Sequence, residues 1–369
     1  MVLSMRLTER EREIVGLLQR DPLLGSEAIA ATLGTTRAAV NVHLSNLGRK
    51  GVIRGRGYLL SEGPSVVVIG GANLDLKARS SRAAVPATSN PGSGSMAAGG
   101  VGRNIAENLA RLGTRTHLVA AIGSDGPGDQ VLAATARAGV QVDHVRRSAR
   151  ATGTYTAVLD ADGELVVAVA DMAATDELSV AQVDAARNLV TTASLVVLDG
   201  NLSAQTLGFA LDLATTAGVR VLIEPVSVPK ATLVAPLLDG SLPVHAVTPN
   251  RDELAALTGL PTRTARQVER AAGALHGRGV ELVWVRLGPD GSLLSTPAGT
   301  TCLPAVPSEV VDVTGAGDAM LAAFCHALLA GTPPTEAAAY GHAAAALTIA
   351  SPHTVRPDLT DRLVRSLLP

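Results

Sequence analysis

Apolar side chains recur at helical spacing at the start of the chain, and a capping residue precedes them. Thr8, with Glu11 three residues later, is typical of a helix N-terminus. Ile14, Leu17 and Leu18 then follow at helical spacing. This pattern predicts a first helix over residues 7–20.

Two further helices are predicted before residue 50. The second is short, with Ser26 as its N-cap and Gly34 at its end. The third begins at Thr35 and Thr36 and runs to Gly48. Its inward face is formed by Val40, Leu44 and Leu47. An adjoining polar stripe is formed by Arg37, Asn41 and Ser45. Three short helices of this kind resemble a helix-turn-helix unit.

Residues 51–60 alternate apolar and polar positions around two glycines, as a β-wing would. We therefore expect a winged helix-turn-helix domain over residues 1–62. Its third helix could enter the major groove of double-stranded DNA while arginines of the wing reach phosphates. The expected DNA contacts are Thr36, Arg37, Asn41, Arg54 and Arg56. The alternative is that this unit only docks onto the rest of the chain or mediates assembly.

From residue 65 onward, strand-like apolar runs alternate with helix-like segments. The runs lie at 66–71, 116–123, 195–200, 219–224, 246–250 and 281–288, and a long Ala-rich region follows. This rhythm is typical of a doubly wound α/β domain, in which helices cover a mostly parallel sheet. We expect one such domain over residues 65–369.

One segment interrupts that rhythm. Residues 154–171 contain two β-rich runs on either side of Asp162 and Gly163, a strong hairpin turn. A protruding two-stranded lid would have this pattern. We expect lid segments at about residues 72–98 and 152–172.

Composition supports a globular protein and excludes several classes. The chain is 47% hydrophobic and 17% charged, but only 2% aromatic, which disfavours stacking platforms for single-stranded nucleic acid. Its two cysteines provide neither a disulfide framework nor a zinc site. No apolar run approaches the roughly 20 residues that span a bilayer. The sequence thus predicts a soluble cytoplasmic protein without membrane contact.

Charge is distributed unevenly along the chain. Residues 1–60 carry nine Lys/Arg and five Asp/Glu, whereas the remainder carries 22 and 28. A basic module beside an acidic body is compatible with DNA contact, although surface arginines and lysines often serve only solvation.

The segment 312–318 (DVTGAGD) is the most informative for chemistry, because a glycine-rich turn there enters an Ala- and Leu-rich helix. Unpaired N–H groups at the positive end of a helix dipole bind anions. The catalytic group would comprise Gly315, Ala316, Gly317 and Asp318. The glycines allow a phosphate to approach closely, and Asp318 could accept the proton of an acceptor hydroxyl. In isolation, this carboxylate could equally serve only to neutralise the helix dipole.

A second glycine turn precedes a helix at residues 98–113 (AGGVGRNIAENLARLG). Gly99, Gly100 and Asn104 could face a polyol there. Upstream, Asn73 and Asp75 follow a predicted strand, and open α/β sheets bind ligands at the carboxyl ends of their strands. No lysine follows a glycine in a GxxxxGK loop, so phosphate must be held by another glycine turn.

The segments GGANLD, AGGVGRN, TPNRDE and DVTGAGD, in this order, resemble the ribokinase-like (PfkB-type) family of sugar and nucleoside kinases. The resemblance covers about residues 65–365. It implies transfer of phosphate from ATP with Mg²⁺, with Asp318 as the catalytic base and residues 315–317 as the anion hole. It also implies that Asn250 and Glu253 help to position the triphosphate and magnesium.

The same resemblance implies further site residues. The nucleotide pocket would include Arg286, Gly288, Gly291 and His342, although His342 could equally be a packed histidine. The sugar would be held by Asn73, Asp75, Gly99, Gly100 and Asn104. Asp312 and Thr314 match positions that bind a monovalent cation, K⁺, in relatives. Family members are often homodimers, and the sequence itself shows no interface.

Within the family the chain is most similar to pseudouridine kinases, some of which carry an N-terminal winged helix. The similarity lies in SNPG at 89–92, GGVGRNIAENLA, VAVADM at the end of the lid, and EPVSVPK. It implies that Tyr155 and Asp171 contact the uracil and that Asn201 contacts the sugar. Glu224 stands where the family pattern leads us to expect a shorter acidic residue.

The sequence thus predicts ATP-dependent phosphorylation of the 5′-hydroxyl of pseudouridine. One alternative is a kinase of another nucleoside or of a ribose-like sugar. Another is a transcriptional regulator whose kinase-like body senses a ligand, but a pure sensor would not need a base at Asp318.

Overall fold

The computed structural model describes residues 7–53 and 63–368, and the chain divides between Pro64 and Ser65 into two compact units. The first unit contains helices α1 (Glu9–Arg20), α2 (Ser26–Thr32) and α3 (Arg37–Arg49). Its core is formed by Ile14, Leu18, Ile29, Ala30, Val40, Leu44 and Leu47. The predicted inward faces of α1 and α3 are therefore observed.

Capping determines where these helices begin. Thr8 and Glu11 form the predicted capping box, in which the Glu11 N–H donates to Thr8 Oγ1 at 3.2 Å and the Thr8 N–H donates to Glu11 Oε2 at 2.7 Å. The prediction for Ser26 was wrong. Ser26 is the first helical residue, and the extended Gly25 occupies the N-cap position without a side-chain hydrogen bond. Arg54 and Arg56 of the predicted wing lie outside the described residues.

The second unit is built on a nine-stranded sheet with the strand order β13-β12-β11-β10-β9-β8-β1-β4-β5. These strands are β1 (Ser65–Ile69), β4 (Arg115–Gly123), β5 (Gln141–Ser148), β8 (Leu195–Asp199), β9 (Arg220–Glu224), β10 (Val244–Val247), β11 (Val280–Arg286), β12 (Ser292–Thr296) and β13 (Gly299–Leu303). All neighbours are parallel except the pairs β11/β12 and β12/β13. The expected doubly wound, mostly parallel architecture is confirmed.

Helices cover both faces of this sheet. They are α4 (Val101–Arg111), α5 (Gly126–Arg137), α6 (Ala173–Asp176), α7 (Val180–Asp184), α8 (Arg187–Thr192), α9 (Ala204–Thr216), α10 (Val228–Val234), α11 (Arg251–Thr258), α12 (Ala265–His276), α13 (Ala316–Leu329), α14 (Pro334–Ile349) and α15 (Asp361–Arg365). Side chains alternate along β1, so that Val66 and Val68 enter the core with Phe324 of α13, whereas Val67 enters the core with Leu254 of α11.

A separate four-stranded sheet, β3-β2-β6-β7, stands at the predicted lid. It comprises β2 (Asn73–Ser80), β3 (Gly92–Gly99), β6 (Gly153–Leu159) and β7 (Leu165–Asp171). The predicted hairpin is present as β6 and β7, which pair antiparallel. The expectation of two strands was wrong, because β2 pairs in parallel with β6 over seven residues and β3 adds at the outer edge.

Candidate active site

The turn at residues 312–315 immediately precedes α13. Gly315 is the N-cap, with φ +80°, and a side chain at this position would collide with the Thr354 carbonyl. The predicted anion hole at residues 315–317 needs correction, because the Ala316 N–H already donates to the Val313 carbonyl at 3.3 Å. Within the described part of the chain, no hydrogen bond engages the N–H groups of Gly317 and Asp318 in the first turn. These two groups lie at the positive end of a 14-residue helix, where an anion is favoured.

Asp318 lies in the same first turn of α13. The Asn104 side chain donates from Nδ2 to Asp318 Oδ2 at 2.8 Å. Burial raises the pKa of Asp318 to about 7, against the opposing effects of the Asn104 hydrogen bond and the Arg286 charge. A carboxylate that titrates near neutral pH is suited to accept a proton from an alcohol.

Arg103, a residue that the sequence did not single out, orients Asn104. The Arg103 guanidinium is buried in α4 and donates from Nη1 to Asn104 Oδ1 and to the Ala98 carbonyl, both at 2.7 Å. It also forms an ion pair with Glu107. Burial lowers the pKa of Arg103 to about 10, and it remains charged at neutral pH. The amide of Asn104 is thereby turned so that its NH₂ group faces Asp318.

Asn73 and Asp75, at the start of β2, lie against the glycine turn at Gly99 and Gly100. Asn73 Nδ2 donates to Asp75 Oδ1 at 2.7 Å, and burial raises the pKa of Asp75. A side chain at Gly99 would collide with the Asp75 carboxylate. Gly100 has φ +98°, and a side chain there would collide with the Gly71 backbone. Packing alone therefore requires glycine at both positions, against the Asp75 side chain at Gly99 and against the Gly71 backbone at Gly100.

The lid register separates two residues that the sequence grouped together. Tyr155 lies directly opposite Asp75, so the two share one sheet face. Asp171 lies opposite Thr154 and therefore faces the other side. The Asp171 carboxylate accepts from the Ala173 N–H at 3.1 Å. The structure thus brings Tyr155, but not Asp171, to the face of Asp75.

Asn201 lies at the carboxyl end of β8, next to Gly71 at the end of β1. The Asn201 N–H donates to Asp199 Oδ1 at 2.9 Å. The other oxygen of Asp199, Oδ2, accepts from the N–H groups of Gly71 at 2.8 Å and Gly102 at 2.7 Å. This buried carboxylate joins three segments at the sheet edge.

A cavity of about 660 Å³ opens from the first turn of α13. The predicted nucleotide residues that line it are Asn250, Glu253, Arg286, Gly288, Gly291 and His342. Apolar side chains complete the wall, among them Val226, Val306, Pro307 and Ile349. Because Gly317 and Asp318 line the same cavity, a molecule bound there would reach the uncapped helix end.

Arg286 is the central cation of the cavity. It donates from Nη2 to Glu224 Oε1 at 2.6 Å and to Glu253 Oε2 at 3.3 Å, and its guanidinium lies against Gly317. Burial alone would lower the pKa of Arg286, but the two carboxylates outweigh this effect and raise it. Glu224, missed as a site residue, also accepts from Thr248 Oγ1 at 2.7 Å.

Asn250 and Glu253 are engaged with each other. Asn250 is the N-cap of α11, where Oδ1 accepts from the Glu253 N–H at 2.9 Å and the Asn250 N–H donates to Glu253 Oε2 at 2.8 Å. Burial raises the pKa of Glu253. A capping box at the cavity wall is a local reason for this residue pair.

His342 is both packed and part of the cavity wall. Its Nε2 lies 2.7 Å from Ser292 Oγ, which in turn accepts from Trp284 Nε1 at 2.8 Å. Burial lowers the pKa of His342. Burial therefore favours the neutral ring, and the hydrogen bonds through Ser292 and Trp284 fix its position in the cavity wall.

The residues of the first unit predicted to contact DNA lie on α3. Thr36 caps this helix by accepting from the Ala39 N–H at 3.2 Å, and Arg37 and Asn41 are exposed. Val42 is also exposed on the same helix. This surface is free of core packing, as a recognition helix requires.

Comparison with known proteins identifies the class. The model of the pfkB family carbohydrate kinases matches residues 64–361, and a winged helix-turn-helix DNA-binding model matches residues 7–54. The chain belongs to the pfkB family. It is a sugar or nucleoside kinase with the ribokinase-like fold, a phosphotransferase that uses an alcohol acceptor. The predicted family and fold class are thus confirmed.

Two curated proteins and one solved structure are similar to most of this chain. The uncharacterized sugar kinase YeiI of Escherichia coli K12 is 34% identical over 98% of this chain and 99% of its own. The pseudouridine kinase of the same organism is 34% identical over 82% and 96%, respectively. The structure of Arabidopsis thaliana ribokinase complexed with ribose and ATP superposes with a TM-score of 0.75 at 29% identity, covering 83% of this chain and 99% of that one.

Proposed function

We propose that the protein transfers the γ-phosphoryl group of ATP to the 5′-hydroxyl of pseudouridine, giving pseudouridine 5′-phosphate and ADP. The observation that carries the proposal is the corner at α13. There, unpaired N–H groups and the carboxylate of Asp318 lie within one helical turn, at the end of a nucleotide-sized cavity. Asn73, Asp75 and Asn104 hold the ribose, with help from Gly99, Gly100 and Asn201.

In this reaction Asp318 takes the proton of the 5′-hydroxyl as the oxygen attacks the γ-phosphorus. The new O–P bond forms while the bond to the bridging β–γ oxygen breaks, and ADP keeps that electron pair. The N–H groups of Gly317 and Asp318 stabilise the charge on the transferred phosphoryl oxygens. Arg286, held by Glu224 and Glu253 beside Gly317, adds a fixed positive charge.

Mg²⁺ fits this cavity as part of the nucleotide complex. Among residues 7–53 and 63–368, no group of three or more His, Cys, Asp or Glu side chains could hold a metal ion. Mg²⁺ keeps several waters and commonly uses one or two carboxylates together with phosphate oxygens. Glu253 lines the cavity and would provide such a carboxylate. When bound, Mg²⁺ neutralises phosphate charge.

The choice of pseudouridine rests on the 34% identity to a pseudouridine kinase over 96% of its length. Tyr155 lies on the lid face that carries Asp75. We propose that it covers the base next to the ribose. Steady-state assays with pseudouridine, uridine, inosine and ribose test the proposal. We expect the highest kcat/KM with pseudouridine. A preference for free ribose would overturn this choice and leave the kinase class intact.

We also propose that residues 1–62 and 65–369 are separate domains and that the first binds double-stranded DNA. The supporting observation is the exposed α3 surface with Arg37 and Asn41. In a mobility-shift assay with the full chain, Arg37→Ala should weaken DNA binding and reduce its salt dependence. Arg12→Ala, on the exposed side of α1, is the matched control. Equal DNA binding by both variants and the wild type would contradict a role for α3.

A further inference from the structure

Lys77 extends from the lid to the loop that leads into α13. It stands on β2, two residues after Asp75, and therefore on the same sheet face. Its Nζ lies 2.7 Å from Asp312 Oδ2 and 3.3 Å from Thr314 Oγ1. The contact is partly buried, with 31% of the Lys77 side chain and 25% of the Asp312 side chain exposed.

This ammonium stands at the residues that the family resemblance assigns to a monovalent cation. Asp312 Oδ1 accepts from the Thr314 N–H at 2.8 Å, so both oxygens of the carboxylate already have partners. A K⁺ ion between Asp312 and Thr314 would meet a like charge, so these residues do not fit added K⁺.

Lys77 contacts the 312–315 loop, which leads directly into the first turn of α13. The backbone N–H groups of Val311 and Asp312 both donate to the Ile349 carbonyl, at 2.8 and 3.2 Å. Gly315 follows Asp312 by three residues and starts α13. The Lys77 ammonium thus contacts the loop that leads to Gly317, and Lys77 does not line the cavity at α13.

We propose that the Lys77 ammonium is a built-in monovalent cation. It is a positioning residue that orders the 312–315 loop, and it makes phosphoryl transfer independent of K⁺. Because Lys77 belongs to the lid strand that carries Asp75, the same contact ties the lid to the anion-binding turn. The link to catalysis rests on the proposed function, whereas the occupancy of the cation position does not.

The first test uses the wild type and needs no variant. Rates measured with K⁺ and with tetramethylammonium, a cation too large for the position, should be equal. An increase of the wild-type rate with K⁺ would overturn the proposal.

The second test removes the charge with Lys77→Met. In tetramethylammonium kcat should fall about tenfold, because a partly buried, charge-assisted hydrogen bond is lost. K⁺ should restore the rate of Lys77→Met, and Lys77→Arg should keep activity without K⁺. The matched control is Arg79→Met, two residues along β2, which should remain independent of K⁺. Full activity of Lys77→Met without K⁺, or failure of K⁺ to restore it, would contradict the role.

The third test is independent of catalysis. Crystals of the ligand-free wild type and of Lys77→Met, soaked in Rb⁺, should show anomalous density beside Asp312 only in the variant. Rb⁺ beside Asp312 in the wild type would overturn the proposal even if Lys77→Met failed to fold. If no nucleoside or sugar were phosphorylated, the proposed function would fail, and the Rb⁺ density would still decide the role of Lys77.

Discussion

Two helices begin at the same cavity, and they begin differently. At α11 the side chains of Asn250 and Glu253 satisfy the first turn through a complete capping box. At α13 the N-cap is Gly315, which has no side chain to offer, and the N–H groups of Gly317 and Asp318 stay unpaired within the described chain. Side-chain caps stabilise a helix, so a cavity-facing helix without one leaves its donors for a ligand.

The same comparison applies to acidic residues in the two first turns. Asp252 in α11 is exposed to solvent. Asp318 in α13 is bonded to Asn104, and burial raises its pKa to about 7. A carboxylate near a helix N-terminus acquires a chemical role only where the surroundings withhold solvent.

The largest expected effect comes from Asp318→Asn. Loss of the base should lower kcat by about 10²- to 10⁴-fold, measured as ADP release with pseudouridine. The melting temperature should not fall, because the amide removes a desolvated carboxylate. Asp252→Asn, the equivalent change in the first turn of α11, should leave kcat unchanged. Comparable losses of kcat in both variants would contradict a catalytic role specific to the first turn of α13.

Gly317→Ala should follow in size. A methyl group at this position would collide with the Arg286 guanidinium, which Glu224 and Glu253 hold in place. A displacement of about 1 Å at the anion-binding turn should cost about 10²-fold in kcat/KM. The control is Gly273→Ala in α12, where the added methyl group would meet no described atom within 4 Å outside its own helix backbone. Unchanged kinetics of Gly317→Ala would show that phosphate does not approach this turn.

The pH dependence should be a smaller, graded effect. Because the pKa of Asp318 is raised to about 7, its basic form is lost as the pH falls through that value. We expect kcat/KM to decrease about tenfold per pH unit below about pH 7 and to level off above it. The profile should be recorded in overlapping buffers with a substrate that does not titrate in this range. A level profile to about pH 5 would contradict Asp318 as the base.

The smallest effect concerns the capped helix. Asn250→Ala removes the N-cap of α11 and should lower the free energy of unfolding by about 1 kcal/mol. Thr264→Ala, at the capping box of α12, should cost a similar amount in urea denaturation. Only Asn250→Ala should also raise the KM for ATP. Equal KM values would reduce Asn250 to its capping role.

Local sequence patterns predicted the local parts of this structure well. The Thr8 capping box, the inward face of α3 and the hairpin at Gly163 each follow from residues close together in the chain. The glycine turn before Asp318 was also predicted from neighbouring residues, because Gly315 adopts the positive φ that begins α13. The family and the sheet architecture followed from such segments taken in order.

Contacts between distant segments could not be predicted in this way. Lys77 meets Asp312 across 235 positions, and Asn104 meets Asp318 across 214. Arg103 and Glu224 belong to the site through their contacts with Asn104 and Arg286, which the sequence pattern did not predict. The face of Asp171 depends on the β6/β7 register, which a hairpin signal alone leaves open.

The most direct measurement is a crystal structure with a non-hydrolysable ATP analogue and pseudouridine. We expect the γ-phosphate within hydrogen-bonding distance of the Gly317 and Asp318 N–H groups, and the 5′-oxygen about 2.6–3.2 Å from the Asp318 carboxylate. A γ-phosphate bound elsewhere, or a hydroxyl other than the 5′ group facing Asp318, would contradict the proposed reaction.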